Sequence, residues 1–111
     1  MKVYHGKITK LCQNEEDLEF RGKLKIAMEN WYQLKLEDLP NIINLIGIKN
    51  LNYEIIFKYE DYIFLSFIVK TKDTEVEIEL SKKKIIYPEP TIKVITKQSV
   101  IKFFTLDELK K

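Results

Sequence analysis

The chain has 111 residues, of which 45% are hydrophobic and 32% charged, with a formal net charge of +2. That size fits one domain able to bury about two-thirds of its unfolded surface, and the apolar content argues against disorder. The net charge does not announce a nucleic-acid or membrane partner, but it is unevenly spread. Residues 51–80 hold three lysines against seven acids, and residues 81–111 hold eight lysines against three.

One cysteine, Cys12, precludes an intramolecular disulfide and points to a reducing, cytoplasmic setting. The N-terminal run Met1-Lys-Val-Tyr-His-Gly-Lys lacks the apolar core of a secretion signal. The longest apolar stretch, residues 62–69, falls far short of the ~20 residues of a membrane helix. Eighteen lysines and sixteen isoleucines stand against one arginine, Arg21, and one alanine, Ala27. That usage fits an AT-rich gene, as in a low-GC microbe, a phage or another virus.

Residues 2–12 read as a first strand, with the polar run 13–17 as its hairpin loop. Residues 18–28 then alternate: Leu18, Phe20, Gly22, Leu24, Ile26 and Met28 on one side, Glu19, Arg21, Lys23, Lys25 and Ala27 on the other. That period predicts a half-buried strand, with Gly22 at a bulge or close approach. A turn at 29–30 leads into a short strand over 31–36. A helix follows, with Pro40 in its first turn, an apolar stripe of Leu39, Ile42, Ile43 and Ile46, and Gly47 closing its end.

Residues 52–59 and 62–70 predict a hairpin. Pairing Tyr59 with Tyr62 collects Tyr53, Ile55, Phe57, Tyr59, Tyr62, Phe64 and Ile68 on one face and Ile56, Ile63, Leu65, Phe67 and Val69 on the other. Apolar residues on both faces predict a central hairpin covered on both sides. Residues 74–80 alternate again, with Val76, Ile78 and Leu80 inward and Glu75, Glu77 and Glu79 toward solvent. Residues 83–87 are expected to pair back on that strand, setting Glu79 opposite Lys84. Pro88 and Pro90 interrupt the sheet. A last hairpin spans 91–97 and 99–104, and Thr105-Leu-Asp-Glu108 forms a capping box that starts a short C-terminal helix. The expected fold is one α+β domain over residues 1–111. It is mostly antiparallel, as a strongly bent sheet or partly open barrel, with one short internal helix and the short C-terminal one.

Catalytic chemistry finds little footing in these residues. His5 and Cys12, the only residues of their kinds, lie seven positions apart on the first expected strand. They therefore face opposite sides, about 23 Å apart at ~3.3 Å per residue. One histidine and one cysteine cannot build a nitrogen–sulfur zinc site, and Glu15, Glu16, Asp17 and Glu19 lack calcium-loop spacing. Gly6, Gly22 and Gly47 are isolated, so no phosphate-cradling loop is present. No catalytic residue, metal ligand or cofactor is assigned.

Two candidate surfaces remain. The aromatic hairpin residues Tyr53, Phe57, Tyr59, Tyr62 and Phe64 suit a protein partner or a second copy of the chain. Lys93, Lys97 and Lys102, among Phe103, Phe104 and Tyr87, suit a nucleic acid or another anion. The expectation is a non-catalytic protein-binding or regulatory module acting through a sheet face or edge. The alternative is a small nucleic-acid-binding β-domain.

Overall fold

Six antiparallel strands run in sequence order across one sheet in the computed structural model of the chain, which describes residues 3–5, 15–48 and 53–109. The strands are β1 (Val3–His5), β2 (Glu54–Glu60), β3 (Phe64–Lys70), β4 (Glu75–Ser81), β5 (Thr91–Thr96) and β6 (Ile101–Thr105). Helices α1 (Glu15–Ala27) and α2 (Leu39–Leu45) lie between β1 and β2, and a single turn, α3 (Leu106–Leu109), follows β6. β1 and β6 form opposite edges, so the sheet is open rather than closed into a barrel.

One face of the sheet makes the core. Ile55, Leu65, Phe67, Val69, Ile78, Leu80, Ile92 and Val94 alternate along their strands and are buried there. Against this inner face pack Phe20, Leu24, Ala27, Met28 and Tyr32, followed by Leu36, Leu39, Ile42 and Ile43. The Phe20 ring meets Phe57 and Phe67 edge-on, with centroids 5.4 and 6.2 Å apart.

The segment expected as a strand over 18–28 is therefore helical. Phe20, Leu24, Ala27, Met28 and Tyr32 also recur at three and four, and that period puts every one of them inward. Ile26, counted inward by the strand reading, is 59% exposed. Lys23 lies 3.8 Å from Glu19, and Lys25 3.9 Å from Glu29, as helical i,i+4 pairs. Gly22 sits at no bulge: a Cβ built there would meet nothing within 4 Å.

After α1 the chain makes a π-helical turn over Met28–Tyr32, ended by Gln33 in the left-handed conformation. No strand forms over 31–36, where this turn gives way to an irregular stretch and a 3₁₀ turn over Leu36–Asp38, and the π-helical turn delivers Tyr32 to the end of the β4–β5 ladder. There the phenol donates to the Thr91 carbonyl at 2.6 Å and accepts from the Ser81 N–H at 2.9 Å. Ser81 Oγ accepts from the Thr91 N–H at 3.2 Å and from Trp31 Nε1 at 3.1 Å. Two side-chain hydroxyls thus stand in for backbone partners where the strands part.

α2 matches its expected position, and Gly47 closes it at φ +107. Gly47 N–H donates to Asn44 O and Ile48 N–H to Ile43 O, the paired bonds of a Schellman end, with Ile43 and Ile48 both buried. A second staple ties α1 to the sheet. Glu60 accepts from Lys23 at 2.9 Å and from Lys82 at 3.0 Å. Burial works to raise the Glu60 pKa, but these two ammonium groups prevail and hold it below the ordinary carboxylate value.

Two further expectations differ. In the β2–β3 hairpin the turn runs over residues 61–64 rather than 60–61, which sets Tyr59 opposite Ser66, and a bulge at Lys58 shifts the register by one more residue, which sets Phe57 opposite Phe67. The hairpin's residues are thereby redistributed: Tyr53 and Phe57 belong to the inner face with Ile55, while Tyr59 and Phe64 point to the outer one. Residues 83–87 form no strand. Lys82 to Pro90 instead fold as a loop, and β5 takes the place beside β4. Pro88 and Pro90 cannot donate to a ladder, whereas residues 91–96 can.

Two substitutions test this layer. Gly22→Ala should raise unfolding stability by about 0.5–1 kcal/mol in chemical denaturation, because alanine favours a helix interior and the site has room; a loss would contradict the helix. Tyr32→Phe should cost about 1–3 kcal/mol, since it strands the buried Ser81 N–H and removes one of two donors to the Thr91 carbonyl. A cost near zero would show that the phenol does not hold the strand ends.

Candidate interaction surface

The outer face of the sheet is assembled around the acids of β4. The pairing places Glu79 between Ser66 of β3 and Lys93 of β5, and Glu77 between Ile68 and Ile95. The bulge at Lys58 turns two consecutive β2 residues toward these acids. Lys58 pairs with Glu77, and the Tyr59 hydroxyl donates to Glu79. Both side chains must cross β3 to reach β4, a span of about 10 Å over two strand spacings. Ser66 is small enough to lie beneath them, fully buried, and its Oγ donates to Glu77 at 3.2 Å.

The expected solvent-facing acidic ladder is thus only partly exposed. Glu79 is 8% exposed and lies opposite Lys93, not Lys84. Burial raises the Tyr59 pKa far above that of a free phenol, and the hydrogen bond to Glu79 together with the nearby negative charges adds to the effect. Chemically, this cluster supplies each carboxylate with a donor and rigidifies the face.

One end of the outer face is covered by the Lys82–Pro90 loop. The Tyr87 ring bridges Phe64 and Phe103, with centroid distances of 6.3 and 6.0 Å. Nearby, Lys83 Nζ stands 3.1 Å from the centroid of the exposed Tyr62 ring. At the other end lies a shallow groove of about 200 Å³, lined by Ile68, Glu75, Glu77, Ile95, Thr96 and Lys97.

The structure divides each of the two sequence-derived residue sets between faces. Of the aromatic set, Tyr53 is buried and Phe57 packs on the core, leaving Tyr59, Tyr62 and Phe64 toward the outer side. Of the lysines, Lys93 points outward while Ile92 and Val94 are buried, as expected. Lys97 sits in the β5–β6 turn beside Glu75 at the groove. Lys102 pairs with Val94 and so belongs to the opposite face from Lys93.

Sequence reasoning named Phe103 only as a neighbour of the lysines and passed over Val100 and Ile101 beside it. Ile101 and Phe103 each remain 51% exposed on the outer side, and Val100 beside them is 48% exposed. Their backbones are equally available. Thr96 N–H donates to Val100 O at 2.9 Å, so this pair is hydrogen-bonded. Antiparallel alternation then turns Lys102 and Phe104 toward β5, and the N–H and C=O groups of Ile101, Phe103 and Thr105 outward. Among the described residues β6 has a strand neighbour on one side only. The available signal was its position as the final strand of a meander, with large apolar residues at alternate positions.

Among the described residues no group of three or more His, Cys, Asp or Glu side chains is placed to hold a metal, and no helix is long and apolar enough to cross a membrane. His5 lies on β1, and Cys12 falls outside the described residues. No family model, curated protein or solved structure matches the chain.

The half-buried Tyr59–Glu79 pair has a consequence at alkaline pH. Above about pH 10 the unfolded chain releases the Tyr59 proton while the folded chain retains it, so stability should fall as pH rises. The Tyr59→Phe variant should show a shallower alkaline decline in denaturant titrations. Superimposable pH profiles for the two proteins would contradict the pairing.

Proposed function

We propose that this protein is a non-catalytic binding module that takes up another polypeptide along β6 and the adjoining outer face. The observation that carries this reading is the coincidence of two features on one strand. The backbone groups of Ile101, Phe103 and Thr105 are turned outward, and the side chains of Ile101 and Phe103 are half exposed beside them. Addition of a strand to a sheet edge uses that combination: main-chain hydrogen bonds supply affinity, and alternate side chains supply selectivity. A long apolar edge is otherwise a liability that proteins blunt with charge, proline or a bulge. β6 carries only Lys102, on the opposite face.

A nucleic-acid role receives less support. Lys93 is set beside Glu79, Lys97 beside Glu75, and Lys102 faces the other way, so the three lysines present no shared basic surface.

Panning a displayed library of random linear peptides against the protein tests the reading. Selected peptides should alternate apolar and polar residues and should lose affinity at least tenfold for Ile101→Lys. They should bind the Lys93→Glu/Lys97→Glu variant nearly as well as the parent. Peptides indifferent to Ile101→Lys would overturn the edge. Steeply salt-dependent binding of a single-stranded oligonucleotide, abolished by the lysine reversals, would favour the nucleic-acid reading instead.

A further inference from the structure

The β6 edge has a particular complement, which is β6 itself. We infer that two copies of this chain join β6 to β6 about a two-fold axis at Phe103, making one continuous sheet. This rests on the edge-binding reading above and names its partner.

The register follows from hydrogen bonding and charge. The outward backbone groups belong to Ile101, Phe103 and Thr105. An antiparallel two-fold pair must therefore match these residues among themselves. Three registers pair at least three residues of the strand, and the one that sets Phe103 against Thr105 leaves Ile101 outside the pairing, so two remain. Setting Ile101 against Phe103 of the second copy places the two Lys102 side chains directly opposite, a like-charge pair that destabilises. Setting Phe103 against Phe103 avoids this. Lys102 then faces Phe104, Ile101 faces Thr105, and three residues from each copy exchange backbone bonds.

Charge beyond the strand agrees with the second register. In an antiparallel pair the end of β6 lies beside the start of the other β6, so α3 of one copy adjoins the β5–β6 turn of the other. α3 opens with the exposed acids Asp107 and Glu108, and the turn carries the exposed Lys97. Opposite charges thus meet at both ends of the junction. On the outer face the two Phe103 rings would meet across the axis, flanked by Ile101 from each copy. The exposed apolar side chains of the strand are thereby covered.

Sedimentation equilibrium from low micromolar to submillimolar concentration tests the pairing. The parent should shift from 13.3 kDa toward twice that mass. Phe103→Glu should weaken the association at least tenfold, because it brings two carboxylates together across the axis while facing Lys93 within its own chain. Phe103→Lys should behave likewise alone, and an equimolar mixture of the two variants should recover the doubled mass. Amide exchange on the parent supplies a readout free of substitution. The Ile101, Phe103 and Thr105 amides should slow with rising concentration, while those of Lys102 and Phe104 stay protected throughout.

A strict monomer with concentration-independent exchange would overturn the pairing. If panned peptides then still bound in an Ile101-dependent way, the edge-binding reading would stand without it. A dimer that is unaffected by either Phe103 substitution would place the contact elsewhere and overturn the inference.

Discussion

Tyr32 enters the sheet where β4 and β5 stop exchanging ladder bonds, and both layers are set by its reach. Its hydroxyl serves the Thr91 carbonyl and the Ser81 N–H, while Ser81 Oγ serves the Thr91 N–H. Burial pushes the Tyr32 pKa far above its ordinary value, so the phenol stays a neutral donor across the physiological range. The hydroxyl arrives there as the chain underwinds into the wider π-helical turn at Met28–Tyr32. That turn fixes how far α1 travels before it ends, and so where Phe20 meets Phe57 and Phe67. Separation of Ser81 from Thr91 also frees the chain to leave the sheet plane as the Lys82–Pro90 loop, which carries Tyr87 onto the outer face.

The outer face obeys a second constraint. β4 is the fourth of six strands and carries Glu75, Glu77 and Glu79 on one side, so carboxylates are forced into the middle of a sheet. A buried carboxylate is costly without donors. The bulge at Lys58 answers this by turning Lys58 and Tyr59 together toward β4, and the minimal side chain of Ser66 keeps the path clear. The same bulge returns Glu60 to the inner side, where Lys23 and Lys82 close the staple to α1. One extra residue therefore serves both faces.

The strands from β2 onward were largely legible in the sequence, because their inward positions alternate without interruption. α2 was legible from Pro40, its stripe and Gly47. The misreading of 18–28 has a definite cause. Phe20, Leu24 and Met28 satisfy a period of two and a period near 3.6 equally, and only Ile26 and Ala27 separate the two readings. Counting Ile26 as inward selected the strand, whereas the buried Ala27 belongs to the helix. Helix-forming Glu, Lys, Leu and Met dominate that stretch and should have weighed more. The hairpin register was not legible, because Asp61 opens the turn with its side chain accepting from the Ile63 and Phe64 N–H groups, which moves the tip to 62–63, and nothing in the residue types around Lys58 signals the bulge. Once it shifts, an aromatic face that seemed continuous divides between core and surface.

That division changes which apolar residues need an explanation. Tyr53 and Phe57 are accounted for by the core, and Phe64 by its contact with Tyr87. Ile101 and Phe103 are not. Phe103 touches Tyr87 with one edge, yet half of each side chain contributes nothing to burial within its own chain. Apolar area is worth roughly 25 cal/mol per Å² only when water is removed from it. Folding of one copy leaves that contribution unrealised on a strand whose outward hydrogen-bonding groups are also unmatched by any neighbouring strand among the described residues. A single event, the addition of a strand alongside β6, would desolvate those side chains and satisfy those backbone groups together. Neither the groove at Lys97 nor the acid cluster of β4 joins the two deficits in this way, which is why we propose the edge, rather than the more polar face, as the binding part of the sheet.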